Sequence, residues 1–158
     1  MYQIRDWLFI GKYSQTRQLA LLQEVGITAM LQLADYVPQP EIETLFLDVR
    51  DGEPVAHSLL KRGIAFIREQ KAQGQVVLVA CGAGISRSST FVLAALMEEE
   101  NRDMWSAYRE VYLRHRGAEP HYELIKSLSA YHGKPIELMA AWEGLHGVRK
   151  QVREEAGV

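Results

Sequence analysis

One cysteine stands in the 158-residue chain, Cys81, and Arg87 follows it six positions later. Between them lie Gly82, Ala83, Gly84, Ile85 and Ser86, and two further serines, Ser88 and Ser89, come next. A thiolate is a strong nucleophile. A guanidinium presents a planar fork that can hold two phosphate oxygens at once, which an ammonium cannot. Glycines at 82 and 84 let backbone N–H groups turn inward without a Cβ in the way. A helix beginning near Ser86 or Arg87 aims its free N–H groups and the positive end of its dipole at the same point. Together these features describe an anion-binding nest wrapped around a sulfur atom. Such surroundings favour the thiolate, the reactive form of a cysteine. The plainer alternative, a structural cysteine at a strand end followed by a surface arginine, leaves the glycines and the flanking elements without a reason.

The elements that must hold this loop are readable on either side. Val76-Val77-Leu78-Val79 is an unbroken apolar run, as expected of a strand buried on both faces, and Phe91 to Met97 reads as a buried helix ended by three glutamates. Upstream, Leu8-Phe9-Ile10 is a strand ending at Gly11. Thr16 to Val25 carries Leu19, Leu22 and Val25 at helical spacing, with Gly26 as its stop. Ala29–Leu33 and Leu45–Leu47 are short strands separated by a loop containing Pro38 and Pro40. Ser58 to Lys71 is helical, with Leu60, Ile64 and Ile67 on one stripe. Met104–Arg116 and Pro120–Tyr131 are two more helices, with Pro120 in the first turn of the second. Strands alternating with helices predict an α/β fold around a central, mostly parallel sheet flanked by helices. Gly133-Lys134-Pro135 marks a boundary, giving a catalytic domain over 1–132 and a helical extension over 133–158. In that extension Leu138, Trp142, Leu145, Val148 and Val152 form a helical stripe that needs burial, although Gly144 and Gly147 weaken the helix.

Composition narrows the function. Eighteen Lys and Arg against 20 Asp and Glu give a net charge of −2, which offers no general attraction to nucleic acid or to an anionic membrane. A single cysteine excludes an intrachain disulfide. No apolar run spans a bilayer, and the start of the chain lacks a secretory pattern. The expected setting is cytoplasmic and reducing. The five histidines, His57, His115, His121, His132 and His146, have no metal-ligand spacing and read as surface or packing residues.

At these residues the sequence resembles the dual-specificity protein phosphatases, over about residues 4 to 132. The resemblance rests on the Cys81–Ser88 loop, and on Leu8-Phe9-Ile10-Gly11, Gly26-Ile27-Thr28, Met30–Ala34, Leu96-Met97, Ala107-Tyr108, Arg116 and Pro120. It implies a protein tyrosine phosphatase-like fold and a phosphatase acting on phosphorylated protein or peptide, tyrosine first and serine or threonine second. It implies that Cys81 forms a phosphocysteine, and that Arg87 and the amides of Gly82, Ala83, Gly84, Ile85, Ser86 and Arg87 hold the phosphate. Ser88 occupies the position that stabilises the leaving thiolate, and no cofactor or metal takes part. Asp51, just after Leu45–Leu47, matches the general acid, with Asp48 its rival. The chain departs from the family in two places. Ala80 stands where a histidine that braces the loop is usual, and His121 follows Pro120 where an asparagine is common. Two other readings fit the same residues. One is a phosphatase of non-protein phosphate monoesters, against which the uncharged loop interior counts for highly charged inositol substrates. The other is a weakly active phosphate-binding module. Oligomeric state has no signature in the sequence.

Overall fold

The computed structural model describes residues 1–157. Five strands, β1 (Tyr2–Arg5), β2 (Leu8–Lys12), β3 (Ala29–Gln32), β4 (Glu43–Phe46) and β5 (Val77–Cys81), form one sheet in the order β1-β2-β5-β3-β4. Only the β1–β2 pair is antiparallel; β2, β5, β3 and β4 run parallel. The apolar run at 76–79 thus becomes the central strand, with every residue of β5 and of β3 buried. Side chains alternate across the sheet. Val77, Val79 and Cys81 face one layer of the core, with Leu31, Phe91, Leu96 and Leu124. Leu78 and Ala80 face a smaller cluster with Leu22, Ile27 and Met30.

Seven helices join these strands: α1 (Tyr13–Thr16), α2 (Leu19–Val25), α3 (His57–Ala72), α4 (Arg87–Glu100), α5 (Met104–Arg114), α6 (Tyr122–Tyr131) and α7 (Leu138–Glu155). The single helix expected over Thr16–Val25 is two short ones, because the chain leaves helical geometry at Arg17-Gln18 before α2 starts. Gly26 does end α2, in the left-handed conformation at φ +91°. Pro120 is not in the first turn of α6: His121 is the N-cap, its Nδ1 accepting from the Glu123 N–H, so the proline lies before the helix. None of the helices is long and apolar enough to cross a membrane, among the described residues.

In α7 part of the expected stripe is buried, Leu145 and Val152 in the core and Val148 packed against it, and Trp142 is the exception. Ala141, Leu145 and Val152 enter the main core, whereas Trp142 is 45% exposed and stacks on His146. Arg149, not an apolar residue, completes the inward face, donating to the Tyr108 hydroxyl. That contact opposes the effect of burial, which still pushes the Tyr108 phenol up to about 12. Gly144 fits this packing: a Cβ there would lie 2.3 Å from the Trp105 ring, so the glycine that weakens the helix is what lets an indole approach its backbone.

β1 is tied down by charge. Arg5 donates to both oxygens of Glu100 at 2.8 and 2.9 Å and to Glu110 at 2.8 Å, linking the edge strand to the ends of α4 and α5. The Arg5 guanidinium is the main reason that the Glu100 carboxyl is held down at about 2. A carboxylate lowered in the folded state stabilises above its unfolded value of 4.5, and that contribution disappears as pH falls toward about 2. Because these groups are partly solvated, Arg5→Ala should cost only roughly 1 kcal/mol at neutral pH. Thermal melts of wild type and Arg5→Ala should differ at neutral pH and converge as the medium approaches the lower of those two values.

Candidate active site

The carboxyl ends of parallel strands, where neighbouring connections part, are where open α/β sheets bind ligands. Cys81 is the last residue of β5 at that edge, 3% exposed, and the loop Gly82–Ser86 runs from it directly into α4. Four carbonyls of this loop are held by outside donors. Gly82 O accepts from Tyr13 N–H at 3.3 Å, Ile85 O from Glu119 N–H at 3.0 Å, and Ser86 O from Thr90 N–H at 3.0 Å. Gly84 O lies 2.8 Å from Nε2 of His115. In a planar trans peptide the carbonyl and the next N–H point opposite ways. Turning these carbonyls toward the body therefore turns the N–H groups of Ala83, Ile85, Ser86 and Arg87 toward the opposite, concave side of the loop. Gly84 makes the turn possible: its φ is +71°, and a Cβ would meet Gly11 O at 2.9 Å.

Around the sulfur, Ser88 Oγ stands 3.2 Å from Cys81 Sγ, in place to donate to a thiolate. Arg87 spends one nitrogen on structure: Nη1 donates to Leu33 O at 3.2 Å and to Val49 O at 2.9 Å. Its other N–H groups take no protein acceptor among the described residues and remain for an anion. The same bond to Val49 O ties the guanidinium to the segment leading to Asp51. Asp51, Cys81, Ala83, Ile85, Ser86, Arg87, Glu119 and His121 line a cavity of about 330 Å³.

Asp51 and Asp48 are both exposed and are separated by where they stand. Leu47 and Val49 are each 2% exposed, so Asp48 between them points away into solvent and does not line the cavity. Asp51 does, and it is oriented by Ser86, whose hydroxyl donates to Oδ1 at 2.5 Å while accepting from His121 N–H at 2.9 Å. The side chain of Ser86, which the sequence offers only as an amide donor, thus bridges three segments. His121 belongs to the cavity wall rather than to an indifferent surface, and it acts on Asp51 through its backbone N–H. His115 is likewise part of the site's support. Glu119, absent from any sequence motif, reaches the cavity because its N–H holds Ile85 O. These contacts join residues more than 30 apart in sequence, and no local pattern announces them.

A family model described as "Dual specificity phosphatase, catalytic domain" matches residues 8–134. The chain belongs to the dual specificity phosphatase catalytic-domain family. It is 35% identical over 131 residues to human "Dual specificity protein phosphatase 2", covering 80% of this chain and 41% of that protein. It is 31% identical over 123 residues to human "Dual specificity protein phosphatase 12", covering 72% of this chain and 36% of that one. The chain therefore spans less than half the length of these relatives. Among solved structures, a human "tyrosine phosphatase-like serine/threonine/tyrosine-interacting protein" superposes with a TM-score of 0.75 at 30% identity, over 84% of this chain and 95% of the other. DUSP15 has the same fold at a TM-score of 0.73 and 24% identity, and covers 96% of this chain and 94% of its own. For a dual specificity phosphatase domain the mostly parallel sheet flanked by helices is as expected from the sequence.

Removing the Ser86 hydroxyl separates orientation of Asp51 from anion binding. In Ser86→Ala the loop amides and Arg87 remain, so the inhibition constant of inorganic phosphate should stay within about twofold. Turnover of an alkyl phosphate, whose leaving group needs a proton, should fall by about tenfold or more. Steady-state kinetics with alkyl and activated aryl phosphates measures both effects.

Proposed function

We propose that this chain is a cysteine-dependent phosphatase that hydrolyses phosphate monoesters on protein tyrosine, and on serine or threonine, through a phosphocysteine. The observation that carries the reading is the convergence on one cavity of Cys81 Sγ, the Ser88 hydroxyl, the free side of the Arg87 guanidinium and Asp51.

In the first step the Cys81 thiolate attacks phosphorus in line with the leaving oxygen. The S–P bond forms, the P–O bond breaks, and Asp51 in its acid form gives its proton to the departing oxygen. The loop amides and Arg87 hold the three equatorial oxygens as charge redistributes. In the second step water attacks the phosphocysteine, Asp51 takes the proton from the water, and the S–P bond breaks. Ser88 donates a hydrogen bond to the thiolate as it leaves. Ile85, 41% exposed on the cavity wall, offers an apolar surface to the ring of a phosphotyrosine. Ala80 and the likeness to a phosphatase-like interacting protein favour a second reading, a module that binds phosphate and turns it over poorly.

Cys81→Ser should abolish turnover while keeping phosphate affinity, since the amides and Arg87 supply the binding. Arg87→Lys should lose at least about 100-fold in kcat/KM, because an ammonium cannot replace the fork and also forfeits the bonds to Leu33 and Val49. Assays on phosphotyrosine and phosphoserine peptides check both; turnover by Cys81→Ser at the wild-type rate rules out the covalent route. Purified wild type that binds phosphate without hydrolysing any peptide establishes the second reading instead.

Asp51→Asn should lower kcat for a poor leaving group by about 100-fold and flatten the alkaline limb of its pH profile, whereas Asp48→Asn should leave both unchanged. The pair of pH–rate profiles decides between the two carboxylates.

A further inference from the structure

The family's usual histidine before the nucleophile is absent here, and Ala80 in its place is sealed in the apolar cluster of Leu22, Ile27, Met30 and Leu78. No imidazole reaches the loop from β5. One reaches it from the other side. His115, at the end of α5, is 3% exposed and puts Nε2 2.8 Å from the carbonyl oxygen of Gly84. A carbonyl only accepts, so Nε2 carries the hydrogen. Nδ1 is buried with no partner among the described residues. The ring is therefore the neutral tautomer that donates once, into the loop; burial, which pushes the His115 imidazolium below its ordinary range, acts in the same sense. Tyr2 of β1 closes the other face, stacked at 3.7 Å and 15°.

The bond matters because of what it holds. The carbonyls of Gly82 and Ile85 are gripped by backbone N–H groups, which any residue supplies, and that of Ser86 by the first turn of α4. Gly84 O alone among the four has a side chain as its sole donor among the described residues. Gly84 is also the one left-handed residue of the loop, so its following peptide is the plane freest to rotate. If that plane flips, the Ile85 N–H leaves the cradle and a carbonyl oxygen, repelling any anion, takes its place.

We propose that His115 is the positioning residue of the phosphate loop: by fixing the Gly84 carbonyl it keeps the Ile85 N–H aimed at the bound phosphate, a task the chain has moved from the end of β5 to the end of α5. Tyr2 holds the imidazole flat for this purpose, and the Arg5–Glu100–Glu110 ion pairs hold β1, and so Tyr2, in place. The inference rests on the phosphatase reading above.

The test uses the full chain with three substitutions and two readouts. His115→Phe and His115→Leu both fill the space and remove the donor, so that if one fails to fold the other decides. His115→Gln restores an N–H donor at about the position of Nε2. Inorganic phosphate binding is measured by calorimetry, and kcat and KM with an aryl phosphate. The donor-less variants should bind phosphate about tenfold more weakly, the scale expected when a buried acceptor loses its partner, with KM raised similarly. Their Cys81 should also alkylate more slowly at mildly acidic pH, because fewer amides face the sulfur, and His115→Gln should recover most of each loss. Phosphate affinity and alkylation in a folded His115→Phe or His115→Leu equal to those of wild type overturn the assignment while leaving the phosphatase reading intact. Equal losses in His115→Gln and His115→Phe also overturn it, since the ring and not its donor would then be at work. Wild type that neither binds phosphate nor hydrolyses the ester defeats the phosphatase reading itself, and the brace with it.

Discussion

Everything at this site depends on one geometric constraint: the peptide planes that follow Gly82, Gly84, Ile85 and Ser86 must turn their oxygens away from the same point. A run of peptides has no intrinsic preference for that arrangement, because inward amides repel one another when no anion is bound. The repulsion is offset by outward hydrogen bonds. Tyr13 of α1, Thr90 of α4, and His115 and Glu119 of the α5–α6 connection supply them. The order β2-β5-β3 brings the start of α1 beside the loop, and the packing of α4 against α5 and α6 brings the others. The sheet and its helical layer thus serve less to present the cysteine than to collect the donors that hold its surroundings open to a negative charge.

Arg87 shows the same economy of means. By giving one nitrogen to Leu33 and Val49, it joins the end of β3, the segment before Asp51 and the first turn of α4. Ser86 makes a second link between the loop and Asp51. The groups proposed to hold the phosphate and the carboxylate proposed to handle the proton are consequently parts of one hydrogen-bonded assembly, so displacing either loop disturbs both.

The sequence made part of this legible. Val76–Val79 reads as a central strand because four apolar residues in a row suit a strand buried on both sides, and the glycines with Arg87 mark the nest because so few structures need them together. In the sequence only family position sets Asp51 apart from Asp48; in the fold both are exposed, and the cavity lining and the Ser86 bond single out Asp51. The contact of His115 with the loop has no signature in the sequence, since a bond across 31 residues leaves no periodicity. β1 went unrecognised: two of its four residues are exposed, so the pattern carries little apolar signal, and its anchorage comes from ion pairs with distant glutamates. In α7 the stripe holds at Leu145, Val148 and Val152 but not at Trp142, whose place is taken by Ala141, while the buried Arg149 finds a partner in Tyr108 that no apolar pattern marks.

The two ends of the sheet have a consequence of another kind. An unpaired strand edge is a template on which a second chain can add, and long flat edges invite aggregation. Here each edge is four residues long. β1 breaks register between Gln3 and Arg5 at a bulge, which twists the edge and spoils a continuous ladder. β4 carries Glu43 at its start, and the ring of Tyr36 leans over Phe46 at its end. Neither border offers a stranger's backbone more than a few aligned groups, which favours a sheet that remains five strands wide even when many copies crowd together.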